Sequence, residues 1–190
     1  MIGPNPFKDY GSIKADYGRY DITLEILPRG ISGQALDLGA ANPFTPFLQR
    51  AYPQLDITNT DGKTDFDKDQ LPFPDKTFDA VFSFEVLEHL MNPLWNLREC
   101  RRVLKDEGTI YITTPKGGFP STLMWPATHF HEIDKQRLQV LAESSKLRID
   151  EISRFNKGPF YWWKMGIIRP TLRVFFGGWY YLELRKNSDG

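Results

Sequence analysis

The chain has one cysteine, three histidines, no excess of charge and no long apolar run, and each shortage removes a class of function. Cys100 has no internal partner for a disulfide, and no ligand-type residues cluster beside it to make a metal knuckle. A reducing, cytoplasmic setting is therefore expected. Lys plus Arg (24) balance Asp plus Glu (24), so the net charge of +0 gives no general attraction to nucleic-acid phosphates. No stretch approaches the ~20 apolar residues of a membrane span. The opening Met1-Ile2-Gly3-Pro4-Asn5-Pro6-Phe7-Lys8-Asp9 also lacks the apolar core of a secretory signal. With 41% hydrophobic and 25% charged residues, 190 residues suit one globular domain over 1–190 with a sizeable core.

Phosphate-binding glycines are scarce too. In Ala35-Leu36-Asp37-Leu38-Gly39-Ala40-Ala41-Asn42 only Gly39 survives of a G-x-G-x-x-G fingerprint, and Asp37 stands two residues before it. The segment reads as a buried strand over 34–38, a tight turn at Gly39 where backbone N–H groups can approach a ligand, and a helix opened by Asn42 and Pro43. A carboxylate at the strand end disfavours a phosphate. It suits S-adenosylmethionine, which carries a sulfonium, an ammonium and a carboxylate. Asp61, 24 positions after Asp37, ends a second strand over 55–60 and is placed to accept hydrogen bonds from ribose hydroxyls, unless it is an ordinary turn aspartate before Gly62.

Alternating elements follow. A helix is expected over 17–27, then helix 44–51, strand 78–84, a helix from Glu85 to Leu90 recapped by Asn92 and continued over 93–104, a turn at Gly108, and strand 109–114. A helix from 135 to about 145 capped by Asp134 and strands 149–155 and 179–185 complete the chain. The pattern predicts an α/β, doubly wound, mostly parallel sheet with helices on both faces and a ligand crevice at the strands' carboxyl ends.

Three stretches carry a family resemblance: Leu36-Asp37-Leu38-Gly39-Ala40, the run from Leu71-Pro72-Phe73-Pro74-Asp75 through Phe84-Glu85-Val86-Leu87-Glu88-His89-Leu90, and Arg98-Glu99-Cys100 through Gly108-Thr109. In this order they resemble the class I S-adenosylmethionine-dependent methyltransferases, especially the type 11 subgroup, over most of 30–155. The resemblance implies a Rossmann-like seven-stranded sheet whose last strand is antiparallel. It also implies a cofactor set of Asp37, Gly39, Ala40, Asp61, Gly62, Phe66, Asp67, Ser83, Phe84 and Glu85. Asp67 matches the position that bonds the adenine amino group, although Asp65 and Asp69 compete for it. Ser83, Phe84 and Glu85 match the methionine end, with core packing the other reading of Phe84. Asp37 acts there often through water or backbone.

The implied chemistry is direct displacement of the activated methyl by a nucleophile of a small-molecule acceptor, releasing S-adenosylhomocysteine. A general base is optional. His89, His129 and His131 are the candidates, with a structural or loop-ordering role the alternative for each. His129-Phe130-His131-Glu132 invites a metal reading but lacks a third convincing ligand, so no metal is expected.

Between 155 and 181 stand ten aromatics, with Lys157, Lys164, Arg169 and Arg173 among them. This insert before the last strand (156–178) reads as a roof for an apolar or aromatic substrate, as a dimer face, as a less favoured peripheral membrane contact, or as a helix packed on the sheet edge. Residues 1–30 are expected to form a helical lid. Ala41 and Pro43 replace the family's usual second and third glycines, which keeps open a catalytically inactive scaffold built on the same fold. A nicotinamide enzyme is the minor alternative.

Overall fold

The computed structural model describes residues 17–39, 44–117, 129–131, 133–155 and 178–187. Six strands form one sheet: β1 (Gly33–Asp37), β2 (Leu55–Asn59), β3 (Phe78–Phe84), β4 (Leu104–Pro115), β5 (Leu147–Phe155) and β6 (Trp179–Lys186), in the order β2-β1-β3-β4-β6-β5. The first four run parallel, and β6 is antiparallel to both β4 and β5. The expected α/β sheet with an antiparallel last strand is thus present, with six strands among the described residues.

Strand alternation feeds two cores. Ala35, Ala80, Phe82, Tyr111 and Tyr181 join Leu48, Tyr52 and Tyr20 on the face covered by α1 (Tyr17–Ile26) and α2 (Thr45–Ala51). Leu36, Val81, Ile110, Ile112 and Leu182 join Leu97, Cys100, Val103, Leu138 and Ala142 on the face covered by α3 (Pro93–Val103) and α4 (Lys135–Ser144). Burial on both faces is why β3 reads as an almost unbroken apolar run.

Both caps on this second face form as the sequence predicts. Asn92 Oδ1 accepts from Trp95 N at 3.2 Å with Pro93 opening α3. Asp134 Oδ1 accepts from Arg137 N at 2.9 Å at the start of α4. Among the described residues no helix is long and apolar enough to cross a membrane.

Two expectations fail for local reasons. Glu85 adopts φ 57°, which breaks the backbone after β3, and only a 3₁₀ turn (Leu87–His89) forms where a helix from Glu85 was expected. Gly108 lies inside β4, which begins directly after α3. The β3 to β4 pairing shifts register there, and a Cβ on Gly108 would stand 2.7 Å from the Leu104 side chain and 2.9 Å from the Asp79 carbonyl oxygen. Close approach, rather than a turn, demands the glycine. The Asn42–Pro43 helix start, Ala40, Ala41, Glu132, the lid before Tyr17 and residues 156–177 of the aromatic insert lie outside the described residues.

Candidate functional site

Strand order reverses between β1 and β3, since the chain winds one way to β2 and the other way to β4. A crevice at the carboxyl ends of such strands is the usual ligand position in an open parallel sheet. Gly39 sits at that point with φ +120°, and a Cβ built on it meets no atom of the described residues within 4 Å. The turn is pinned from both sides: Leu38 N donates to Phe82 O at 2.9 Å, and Gly39 N donates to Thr60 Oγ1 at 3.0 Å. The Gly39 N–H is therefore engaged within the protein, while the following amides of the turn, at residues 40–43, lie outside the described residues. What the glycine provides is space.

Asp37 points inward. It is 1% exposed, and its Oδ2 accepts from Thr45 Oγ1 (2.8 Å) and Asn59 Nδ2 (3.2 Å), tying the start of α2 to the end of β2. Its carboxylate is thus engaged within the protein, in contacts that join α2 to β2. Thr45, Asn59 and Thr60 were absent from the sequence reading, because no local spacing reveals which strand end a polar side chain will meet.

Asp61 follows Thr60 directly and is exposed. Its Oδ1 accepts from Lys63 N (2.9 Å), Thr64 N (3.2 Å) and Thr64 Oγ1 (3.2 Å), while its Oδ2 accepts nothing among the described residues. These donors, the Lys63 amide first, hold the carboxyl below its ordinary range. Gly62, at φ +71°, turns the chain. Phe66 packs half-buried against the core. Asp67 Oδ1 accepts from Asn92 N at 2.7 Å, which joins this loop to the cap of α3. The neighbouring carboxylates are engaged within the loop, Asp69 by Asp65 N and Asp65 by Asp67 N and Lys68. Among the described residues, Asp67 reaches the α3 cap with its side chain, and Asp69 meets α3 through its backbone carbonyl, which accepts from Trp95 Nε1 at 3.1 Å.

At the end of β3, Ser83 is fully buried and its Oγ has no hydrogen-bond partner among the described residues. Phe84 packs edge-on against Phe44, with ring centroids 5.4 Å apart, so part of its surface serves the core. Glu85 Oε2 accepts from Trp179 Nε1 at 2.8 Å, a clamp across 94 residues.

Beyond that turn the structure joins two distant sequence fragments. Phe130 N and His131 N both donate to Glu88 O (2.8 and 3.2 Å), which seats the His129 segment on the turn that carries His89. The His89 and His129 rings lie 4.8 Å apart, nearly perpendicular at 83°. Buried Glu88 accepts at Oε2 from Thr114 Oγ1 at 3.2 Å. His131 is separate: exposed, its Nε2 stands 3.4 Å from Met91 O. Of the three candidate bases, then, His89 and His129 are brought together.

Burial, with His89 beside it, pushes the His129 imidazole down from 6.5 to about 4. The unfolded chain protonates this ring as pH falls through 6.5 and the folded chain only near 4. Stability linked to His129 is hence complete above pH 6.5 and declines across the window down to about 4. Thermal melts in chelator should show a shallower acid decline for His129→Gln than for the parent. Equal slopes would remove His129 from the acid response. Cys100 takes no part, since burial pushes its thiol up to about 12.

The family profile described as a methyltransferase domain matches residues 43–112. A Mycolicibacterium smegmatis protein named "Probable S-adenosylmethionine-dependent methyltransferase" is 30% identical over 107 residues, 55% of this chain and 39% of that protein. The match covers less than half the length of this curated relative. An S-adenosylmethionine-dependent methyltransferase from Mesorhizobium loti superposes with a TM-score of 0.62 at 12% identity, over 89% of this chain and 98% of that one. A Haemonchus contortus phosphoethanolamine N-methyltransferase, solved with phosphomonomethylethanolamine and S-adenosylhomocysteine, gives 0.62 at 13% identity, over 90% and 53%. The structural matches carry the fold, and the profile and the curated relative carry the sequence kinship. With the motifs at the ends of β1 and β3 in their expected places, the chain is similar in sequence to S-adenosylmethionine-dependent methyltransferases of the type 11-like group over part of its length, and has their fold.

Proposed function

We propose that the chain transfers a methyl group from S-adenosylmethionine to a small-molecule acceptor by direct displacement, in the crevice at the carboxyl ends of β1 and β3. The observation that carries this reading is the volume over Gly39, open among the described residues, at the point where the strand order reverses. A phosphate site would present free amide N–H groups there. Gly39 instead gives its amide to Thr60 and stands beside the Asp61 loop, an environment suited to a ligand with sulfonium and ammonium charge and no phosphate.

The chain's residues divide the work. Asp61, its Oδ1 already fixed by two backbone amides, presents Oδ2 to the ribose hydroxyls. Asp67 and Phe66 border the adenine end, and Ser83, Phe84 and Glu85 the methionine end. When bound, S-adenosylmethionine supplies an electrophilic methyl on a sulfonium sulfur. The protein's contribution is to hold the two reactants in line and to keep water out. For an acceptor that must lose a proton, His129 and its neighbour His89 are the groups that take it as long as their ring nitrogens hold no metal ion. Support for a small acceptor comes from the Haemonchus enzyme of the same fold, which holds phosphomonomethylethanolamine.

Isothermal titration calorimetry with S-adenosylmethionine, S-adenosylhomocysteine and NAD tests the reading. Micromolar binding of the first two and none of NAD is expected, and silence from all three would leave an inactive scaffold as the better account. Asp61→Ala should weaken S-adenosylmethionine binding on the order of 100-fold, because hydrogen bonds to a charged acceptor are lost. An unchanged affinity would take Asp61 out of the site.

A further inference from the structure

We propose that Glu88, His89 and His129 form a site for a divalent transition-metal ion of the Zn²⁺ class, beside the cofactor crevice. One ligand-capable atom from each of the three side chains lies within 4.8 Å of the others. Two imidazole nitrogens and a carboxylate oxygen are a donor set that Zn²⁺ takes at roughly 2.0–2.2 Å per bond, with donors about 3–4 Å apart. Closing the gap asks for a shift of about an ångström in half-buried rings, within ordinary side-chain rotation. The same donor set argues against Mg²⁺ and Ca²⁺, which take oxygen shells.

The sequence conceals this arrangement. The His129-Phe130-His131-Glu132 stretch lacks a third ligand of its own, and Glu88-His89 lies forty residues away. The fold supplies the missing groups, and it fixes them independently of any ion. Two backbone hydrogen bonds from Phe130 and His131 to the Glu88 carbonyl hold the His129 segment against the residue that offers the carboxylate. Thr114 Oγ1 donates to Glu88 Oε2 at 3.2 Å, the kind of outer partner that orients a metal-bound carboxylate. His131, the remaining histidine of the chain, is turned to the Met91 carbonyl and stands apart. Three protein ligands leave at least one coordination position for water or an oxygen donor, as in catalytic rather than structural zinc sites.

The test is titration of chelator-stripped full-length protein with Co²⁺, followed by Zn²⁺ competition. One equivalent of Co²⁺ should give the visible absorption of a four- or five-coordinate ion, displaced by Zn²⁺. His89→Gln and His129→Gln should each weaken Co²⁺ binding at least about tenfold, and Glu88→Gln, which keeps the side chain's size, should do the same. His131→Gln should leave the spectrum unchanged. Zn²⁺ should also raise the melting temperature of the parent and not that of His129→Gln, a readout that survives if the Glu88 variant is too unstable to titrate. A six-coordinate, aqua-like Co²⁺ spectrum in the parent, or a signal removed by His131→Gln and kept by His129→Gln, would overturn the site. Because S-adenosylmethionine calorimetry is run separately on the same preparations, loss of the metal and loss of the cofactor are read independently.

Discussion

Gly39→Val is expected to abolish S-adenosylmethionine binding in a protein that still folds. The valine Cβ enters a volume where no atom of the described residues lies within 4 Å. Its cost to folding is the backbone one: φ +120° is unfavourable for a β-branched residue, by roughly 1–3 kcal/mol. Gly30 supplies the matched control. It has φ +84°, also with nothing within 4 Å of an added Cβ, but it lies between α1 and β1 at the amino end of the sheet, opposite the crevice. Gly30→Val should show a comparable drop in stability and keep its affinity for S-adenosylmethionine. Circular dichroism and calorimetry on the pair separate strain from occupancy. Equal affinities in the two variants would mean that the volume over Gly39 is not where the cofactor lies.

Arg102→Ala should have the largest effect on stability, a loss of about 3 kcal/mol in urea denaturation. The guanidinium donates to both oxygens of Glu99 (3.0, 3.1 and 2.7 Å), to the Phe73 and Leu71 carbonyls (2.8 and 2.9 Å) and to Asp75 (2.8 Å). The Glu99 side chain is only 7% exposed, and its Oε2 also accepts from Leu71 N at 2.9 Å. Removing the arginine leaves a buried carboxylate without its cation and takes a donor from the Phe73 and Leu71 carbonyls, the second of which keeps the Phe73 amide; this is the costly half of a broken buried pair. The Asp75 contact adds little, since that side chain is 72% exposed. Arg102→Met combined with Glu99→Gln should recover much of the loss, because no charge is then stranded. If Arg102→Ala melts like the parent, the strap from Leu71 to Asp75 is held by something other than this ion pair. The strap begins four residues after Asp67, so a weakened affinity for S-adenosylmethionine is expected alongside the instability.

Much of this was legible in the sequence where the cause is local. Asn92 and Asp134 cap helices because each precedes a helical apolar face by one residue, and Gly39 marks a turn because strand and helix signals meet there. Local signals misled in the run from Glu85 to Leu90. Its residues favour a helix, but the backbone is held by Glu85 N bonding Thr113 O and by the indole of Trp179 on the Glu85 carboxylate. Gly108 misled for the opposite reason, since a glycine after a helix usually ends it, whereas α3 passes into β4 without a loop. What the sequence could not show is long-range: Asp37 meeting Thr45 and Asn59, and His129 coming to rest on Glu88 and His89. Those contacts are set by the sheet's strand order, to which no residue spacing refers.

That strand order also sets when the domain can assemble. β6 lies between β4 and β5, and β5 has no other partner in the sheet among the described residues. During synthesis the parallel half, through β4, can pair as it leaves the ribosome. β5 must then wait with its edge unpaired until Lys186 has emerged and β6 can slot in beside β4. The nascent chain therefore passes through a stage with two unpaired strand edges, β4 and β5, and it is then that a holdase chaperone or a second nascent copy would compete for them.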